Sequence, residues 1–173
     1  TLNNVTISSN IDISNQLLLN GGNLVVGDAT LGINGTISNP SGAIEVSAVS
    51  NLSFSGTSAL TLNNNLFNTA PSLNNLTINN SGGITLGNQN MTVNGTLDLP
   101  IGTFTLLDNT LTLAGSSPTR TSGNIDASNS NATIAFTNSS AIVLPISLFS
   151  GDITNFTVNG SGGVISNEDI SLT

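Results

Sequence analysis

Glu168 and Asp169 form the only adjacent acidic pair in a chain whose catalytic repertoire is otherwise nearly empty. Paired carboxylates can serve as acid and base or nucleophile in glycoside hydrolysis, and many coiled β enzymes act on polysaccharides, so the pair is the first place to look. Asp98 and Asp108, which flank one predicted turn, are the second. The remaining acids (Asp12, Asp28, Glu45, Asp126 and Asp152) are scattered singly, the pattern of charges that keep a neutral surface soluble. Proton transfer and nucleophilic attack otherwise draw on His, Cys, Lys or Tyr, or on Ser beside a base. The chain contains no His, Cys, Lys or Tyr, and no Gly-x-Ser-x-Gly elbow surrounds any of its serines. No residue is therefore assigned a catalytic role, and a non-enzymatic protein is expected.

Ligand chemistry is equally sparse. Gly82-Gly83 and Gly162-Gly163 resemble the start of a calcium-binding nonapeptide, but neither is followed by Gly-x-Asp, so no metal or cofactor is expected. Sugar clefts use aromatic platforms, and there is no Trp or Tyr. Arg120 is the only basic residue against nine acids, a net charge of −8. Phosphate backbones and anionic membrane surfaces both require Lys and Arg, so neither nucleic acid nor a membrane is an expected partner. No apolar run approaches the roughly 20 residues needed to span a bilayer as a helix. Sequons at Asn4, Asn34, Asn75, Asn94 and Asn155 follow from a composition rich in Asn and Thr.

What must position these residues is a short alternating unit, apolar–small polar–apolar. It appears at Val5-Thr-Ile7, Leu76-Thr-Ile78, Met91-Thr-Val93, Leu111-Thr-Leu113 and many other places. Period-two alternation sends the apolar residues to one face and the Thr to the other, the signature of a strand half-buried against a core. Phe54, Phe104, Phe136 and Phe156 fall in the inward phase. Asn-Gly, Gly-Gly and Asn-Asn pairs follow almost every unit and mark tight corners. No 3.6-residue periodicity occurs, which predicts an all-β chain.

The chain also repeats itself. Leu73-Asn-Asn-Leu-Thr-Ile78-Asn-Asn-Ser-Gly-Gly83-Ile-Thr-Leu86 returns as Ile153-Thr-Asn-Phe-Thr-Val158-Asn-Gly-Ser-Gly-Gly163-Val-Ile-Ser166, and Leu2-Asn-Asn-Val-Thr-Ile7 opens the chain in the same way. Phe54-Ser-Gly-Thr-Ser-Ala-Leu-Thr-Leu62 recurs as Phe136-Thr-Asn-Ser-Ser-Ala-Ile-Val-Leu144. These anchors predict one continuous segment, residues 1–173, with units at about 2–72, 73–152 and a partial 153–173, cut from a longer array. Strands this short, with corners this frequent, predict a β-solenoid with turns of about 20 residues, right-handed by the commoner case. Tandem β-sandwiches remain the alternative, since the long unit approaches the size of one such domain. In a solenoid, corner amides can bond to the turn above. The outward Thr77, Thr85, Thr92, Thr105 and Thr112 could form a flat water-ordering array of the kind that binds ice, although unequal turn lengths favour ordinary exposed strand residues.

The stretches Leu73 to Asn79, Met91 to Leu99 and Thr110 to Gly115 resemble repeats of very large surface proteins of Bacteroidota. That resemblance implies export by the type IX secretion system, an extracellular or cell-surface location, and in some members an adhesive role. It implies a stalk or shaft whose partners are neighbouring repeats of the same chain and the secretion machinery. Adhesive repeats, or repeats that self-associate into a filament, are the alternative, and a polysaccharide-active enzyme is a distant third. A single Arg and no Lys leave trypsin one site, which suits exposed life outside a cell.

Overall fold

The computed structural model describes residues 4–63 and 65–173. Alternating apolar residues make every element a strand of two to six residues, and the described residues contain no helix. The first turn of chain carries β1 (Val5–Ile7), β2 (Ile11–Ile13) and β3 (Gln16–Leu18). The second carries β4 (Asn23–Val26), β5 (Thr30–Ile33) and β6 (Thr36–Ser38), and the third β7 (Ala43–Glu45), β8 (Asn51–Gly56) and β9 (Leu60–Leu62). Next come β10 (Ser72–Leu73), β11 (Leu76–Asn80) and β12 (Ile84–Leu86), then β13 (Met91–Val93), β14 (Leu97–Ile101) and β15 (Thr103–Thr105). The sixth turn holds β16 (Thr110–Leu113), β17 (Thr119–Arg120) and β18 (Asn124–Asp126). The last two hold β19 (Thr133–Phe136) with β20 (Ile142–Leu144), and β21 (Asn155–Val158) with β22 (Val164–Ser166).

Each strand pairs with its counterpart one turn away, and every pairing of named strands is parallel. The chain is a β-solenoid of eight turns. Tandem sandwiches, which need antiparallel strands, are not its architecture. Three walls result. Wall one runs β1-β4-β7 and resumes as β10-β13-β16-β19-β21, with an Ile44–Phe67 bridge at the break. Wall two runs β2-β5-β8-β11-β14-β17 and resumes as β20-β22. Wall three runs β3-β6 and resumes as β9-β12-β15-β18. Paired residues are 19 to 24 positions apart, from Val5↔Leu24 to Leu60↔Ile84. Turns are thus close to the expected length, and the extra residues lie in the corners.

Inward residues stack in columns. Ile11, Leu31, Leu52, Leu76 and Leu97 lie one above another on wall two, and the last four are at most 1% exposed. Burying each such Leu or Ile contributes about 1.5–3 kcal/mol. Phe54, Phe104 and Phe136 are fully buried, and Phe156 packs against Phe136 with ring centroids 5.2 Å apart.

The recurring phrases do not stay on one wall. Phe54 and Leu60–Leu62 lie on walls two and three, beneath Ile78 and Ile84–Leu86. Their second copies, Phe136 and Ile142–Leu144, lie on walls one and two, beneath Val158 and Val164–Ser166. Local bonding is conserved through this shift. Leu60 N donates to Gly83 O at 3.1 Å, and Ile142 N donates to Gly163 O at 3.1 Å. Gly83 (φ 84°) and Gly163 (φ 72°) both occupy the left-handed region that a Gly-Gly corner supplies. In the opening copy, Leu2 and Asn3 lie outside the described residues, while Val5–Ile7 is on wall one. The portable module is therefore a strand–corner–strand unit that covers two adjacent walls, and the long repeat is not a whole number of turns. Ladders cross the unit boundaries: Leu52 pairs with Leu76, and Phe156 with Ile134.

Candidate functional site

The acids flagged as a catalytic pair occupy a shallow cavity of about 330 Å³ at the last turn, lined by Asp152, Glu168 and Asp169 among others. Glu168 Oε1 accepts a hydrogen bond from Ser147 N at 2.5 Å, which fixes a corner where Ser147 has φ 57°. Asp98 and Asp108 are not brought together. Asp98 points out from wall two and accepts from Thr119 Oγ1 at 2.6 Å. Asp108 lies in the corner after wall three and accepts from Asn129 Nδ2 at 3.2 Å. Among the described residues, no group of three or more His, Cys, Asp or Glu side chains is placed to hold a metal ion.

The five outward threonines are divided among the walls. Thr77 is on wall two, Thr85 pairs with Thr105 on wall three, and Thr92 pairs with Thr112 on wall one. They do not form one flat array. Above Thr112 the wall-one row continues with Ala135 and then Thr157.

The most organised polar structure is instead internal to the coil. Asn75 Nδ2 donates to Asn51 Oδ1 at 2.8 Å, and Asn74 Nδ2 reaches the same oxygen at 3.2 Å. Asn51 Nδ2 donates down to Asp28 O at 3.2 Å, while Asn75 Oδ1 accepts from Thr96 N above at 2.8 Å. This ladder links four successive turns and realises the expected bonding of corner amides between layers. Asn109 is buried and donates to Leu106 O at 2.8 Å as well as to Gly87 O in the turn below. Buried Ser50 donates to Val26 O and accepts from Ser47 N at 3.0 Å. Sequence reasoning assigned no role to Ser50 or Asn109. Their only signal is a polar residue immediately before a strand, which any exposed loop shares.

The corner between walls two and three alternates Asn and Gly by layer: Asn34, Gly56, Asn80, Gly102. Gly56 and Gly102 have φ 113° and 93°. A Cβ at Gly56 would lie 3.0 Å from both Asn34 O and Asn34 Oδ1, and one at Gly102 would strike Asn80 O. Buried Asn80 donates to Ser55 O at 3.2 Å and accepts from Gly82 N at 2.9 Å. The shifted copy of this corner uses Asn138 below Gly160, where Asn138 Nδ2 donates to Gly163 O at 2.8 Å. Each duplicated corner thus has one amide closing the backbone and one glycine making room for the neighbouring layer.

Arg120 also serves the scaffold. Its Nε donates to Gly123 O at 2.6 Å and its Nη1 to Ile146 O, in the following turn, at 2.7 Å. The site chemistry of this chain is therefore the satisfaction of backbone groups between layers rather than presentation of reactive groups. No protein-family model, curated protein or solved structure matches the chain.

Proposed function

We propose that this chain is a non-catalytic shaft segment of a large extracellular, adhesin-like surface protein, which holds a functional part away from the cell. The observation that carries this reading is the migration of the recurring phrase between walls. Thr77 and Thr85 face out from walls two and three, whereas the corresponding Thr157 and Ile165 face out from walls one and two. A repeat maintained for a ligand-binding face would keep its outward residues on that face. A repeat maintained for stacking needs only the inward residues and the corners, and these recur while the outward Thr85 gives way to Ile165. A continuous Leu/Ile/Val core with backbone ladders along its length is the construction of a stiff rod.

The test is surface attachment by cells carrying the parent protein, with this segment either shortened or replaced by an unrelated rod of equal length. The shaft reading expects attachment to survive replacement and to fall on shortening. Loss of attachment on replacement at full length would instead make the coil surface itself adhesive or self-associating.

A further inference from the structure

Four Asn-Gly pairs occur, at Asn20-Gly21, Asn34-Gly35, Asn94-Gly95 and Asn159-Gly160, and Asn20, like Asn34, is exposed. Two have nearly identical settings in sequence, Ile33-Asn-Gly-Thr36 and Val93-Asn-Gly-Thr96. The fold treats them very differently. Asn94 Nδ2 donates to Ser72 Oγ at 2.9 Å and to Leu73 O at 2.8 Å, and Gly95 N donates to Asn74 O at 2.7 Å. Asn34 is exposed, and neither its side-chain amide nor the Gly35 N–H has a hydrogen-bond partner among the described residues. The pair borders an open polar groove of about 280 Å³, lined by Ser14, Asn15, Thr36 and Ser58 among others, so water reaches it. Asn159 is intermediate: its side chain is exposed, but Gly160 N donates to Phe136 O at 3.0 Å.

We propose that Asn34-Gly35 is a self-modification site, where the chain's own backbone nitrogen converts Asn34 to aspartate or isoaspartate. The Gly35 nitrogen attacks Asn34 Cγ, forming an N–C bond and closing a five-membered imide. The Cγ–Nδ2 bond breaks, and ammonia leaves with the proton from the Gly35 nitrogen. Water then adds to one imide carbonyl and opens the ring, giving aspartate by one cleavage and isoaspartate by the other. At Asn94 the same closure must first break three hydrogen bonds that tie the corner to the turn below, so it requires local opening of the coil. The product matters structurally. Isoaspartate lengthens the backbone by one methylene between β5 and β6 and adds a carboxylate where Asn34 O and Oδ1 pack under Gly56.

The test is incubation at mildly alkaline pH, folded and in denaturant, with peptide mapping by mass spectrometry and a methyltransferase assay for isoaspartate. In the folded protein Asn34 converts at least about tenfold faster than Asn94, as expected where net hydrogen bonds must break first. Asn159 falls between them. In denaturant the Asn34 and Asn94 rates converge, and Asn34→Gln abolishes conversion in the peptide that carries this corner. Equal folded rates at Asn34 and Asn94, or a ratio unchanged by denaturant, would overturn the proposal. So would an inert Asn34 in a folded protein whose denatured form converts.

Discussion

Asn75 donates its side-chain amide to Asn51 Oδ1 at 2.8 Å across 24 positions of chain, which makes it the central rung of a ladder through four turns. Asn51 also spans its own interval, donating to Asp28 O and Ala29 O below. Asn51→Ala removes the middle of the ladder and leaves partners in the turns above and below unsatisfied. Losing these half-buried hydrogen bonds costs about 0.5–1.5 kcal/mol each. Asn34→Ala, at an exposed amide with no partner among the described residues, should stay within about 0.5 kcal/mol of the parent. Chemical denaturation of the two variants checks the contrast, and equal stabilities would show that the ladder contributes nothing net.

The glycines separate two demands, space and backbone conformation. Gly102 faces both, because its φ is 93° and a Cβ would meet Asn80 O. Gly163 faces one, with φ 72° and nothing within 4 Å of a Cβ, and Gly151 faces neither. Alanine at 151 should be neutral. At 163 it should cost about 1–2 kcal/mol for the left-handed conformation. At 102 it should cost more than at 163, since backbone must also move. A thermal-melt series in any other order contradicts this account.

The strands, their inward phase and the glycine corners were legible from Leu76-Thr-Ile78 and its relatives, because alternation depends on nearest neighbours alone. The wall each strand occupies was not. Leu76 and Phe156 occupy corresponding positions of the recurring phrase, yet one lies on wall two and the other on wall one, because corners of unequal length accumulate between them. For the same reason Asn51 and Asn75 could not be paired in advance, and Thr77, Thr85 and Thr92 could not be assigned to separate walls. Arg120 read as a lone protease site, whereas its two carbonyl partners depend on the turn that follows it.

Leu106 and Leu107 should respond in opposite ways to truncation. Leu106 is fully buried, and Leu106→Ala should cost about 2–5 kcal/mol. Leu107 is 36% exposed and held at φ 50°, in a tight turn closed by Asn109 N donating to Leu106 O at 3.2 Å. A left-handed conformation costs a non-glycine residue about 1–2 kcal/mol. Leu107→Gly relieves that strain against a flexibility cost of about 0.5–1 kcal/mol. The variant should therefore be at least as stable as the parent. Marked destabilisation in a denaturant titration would mean that Leu107 packs more productively than its exposure suggests.

Arg120 is the only tryptic site, and the fold shields it. It lies in β17, where it pairs with Leu99, and its guanidinium is engaged by Gly123 O and Ile146 O. Cleavage requires an extended, accessible segment with the arginine free to enter the protease pocket, so β17 must first detach. The folded protein should resist trypsin and, once denatured, yield two fragments meeting after Arg120. Arg120→Met keeps much of the apolar stem but loses both bonds, at a cost of about 1.5–3 kcal/mol for each hydrogen bond to a charged group. Because Ile146 is in the next turn, that loss should loosen the junction between β17 and β20. Hydrogen exchange should then quicken around 119–124 and 142–147 while the β8–β11 region keeps its protection. Uniform acceleration along the coil would instead mean that the turns unfold as one unit.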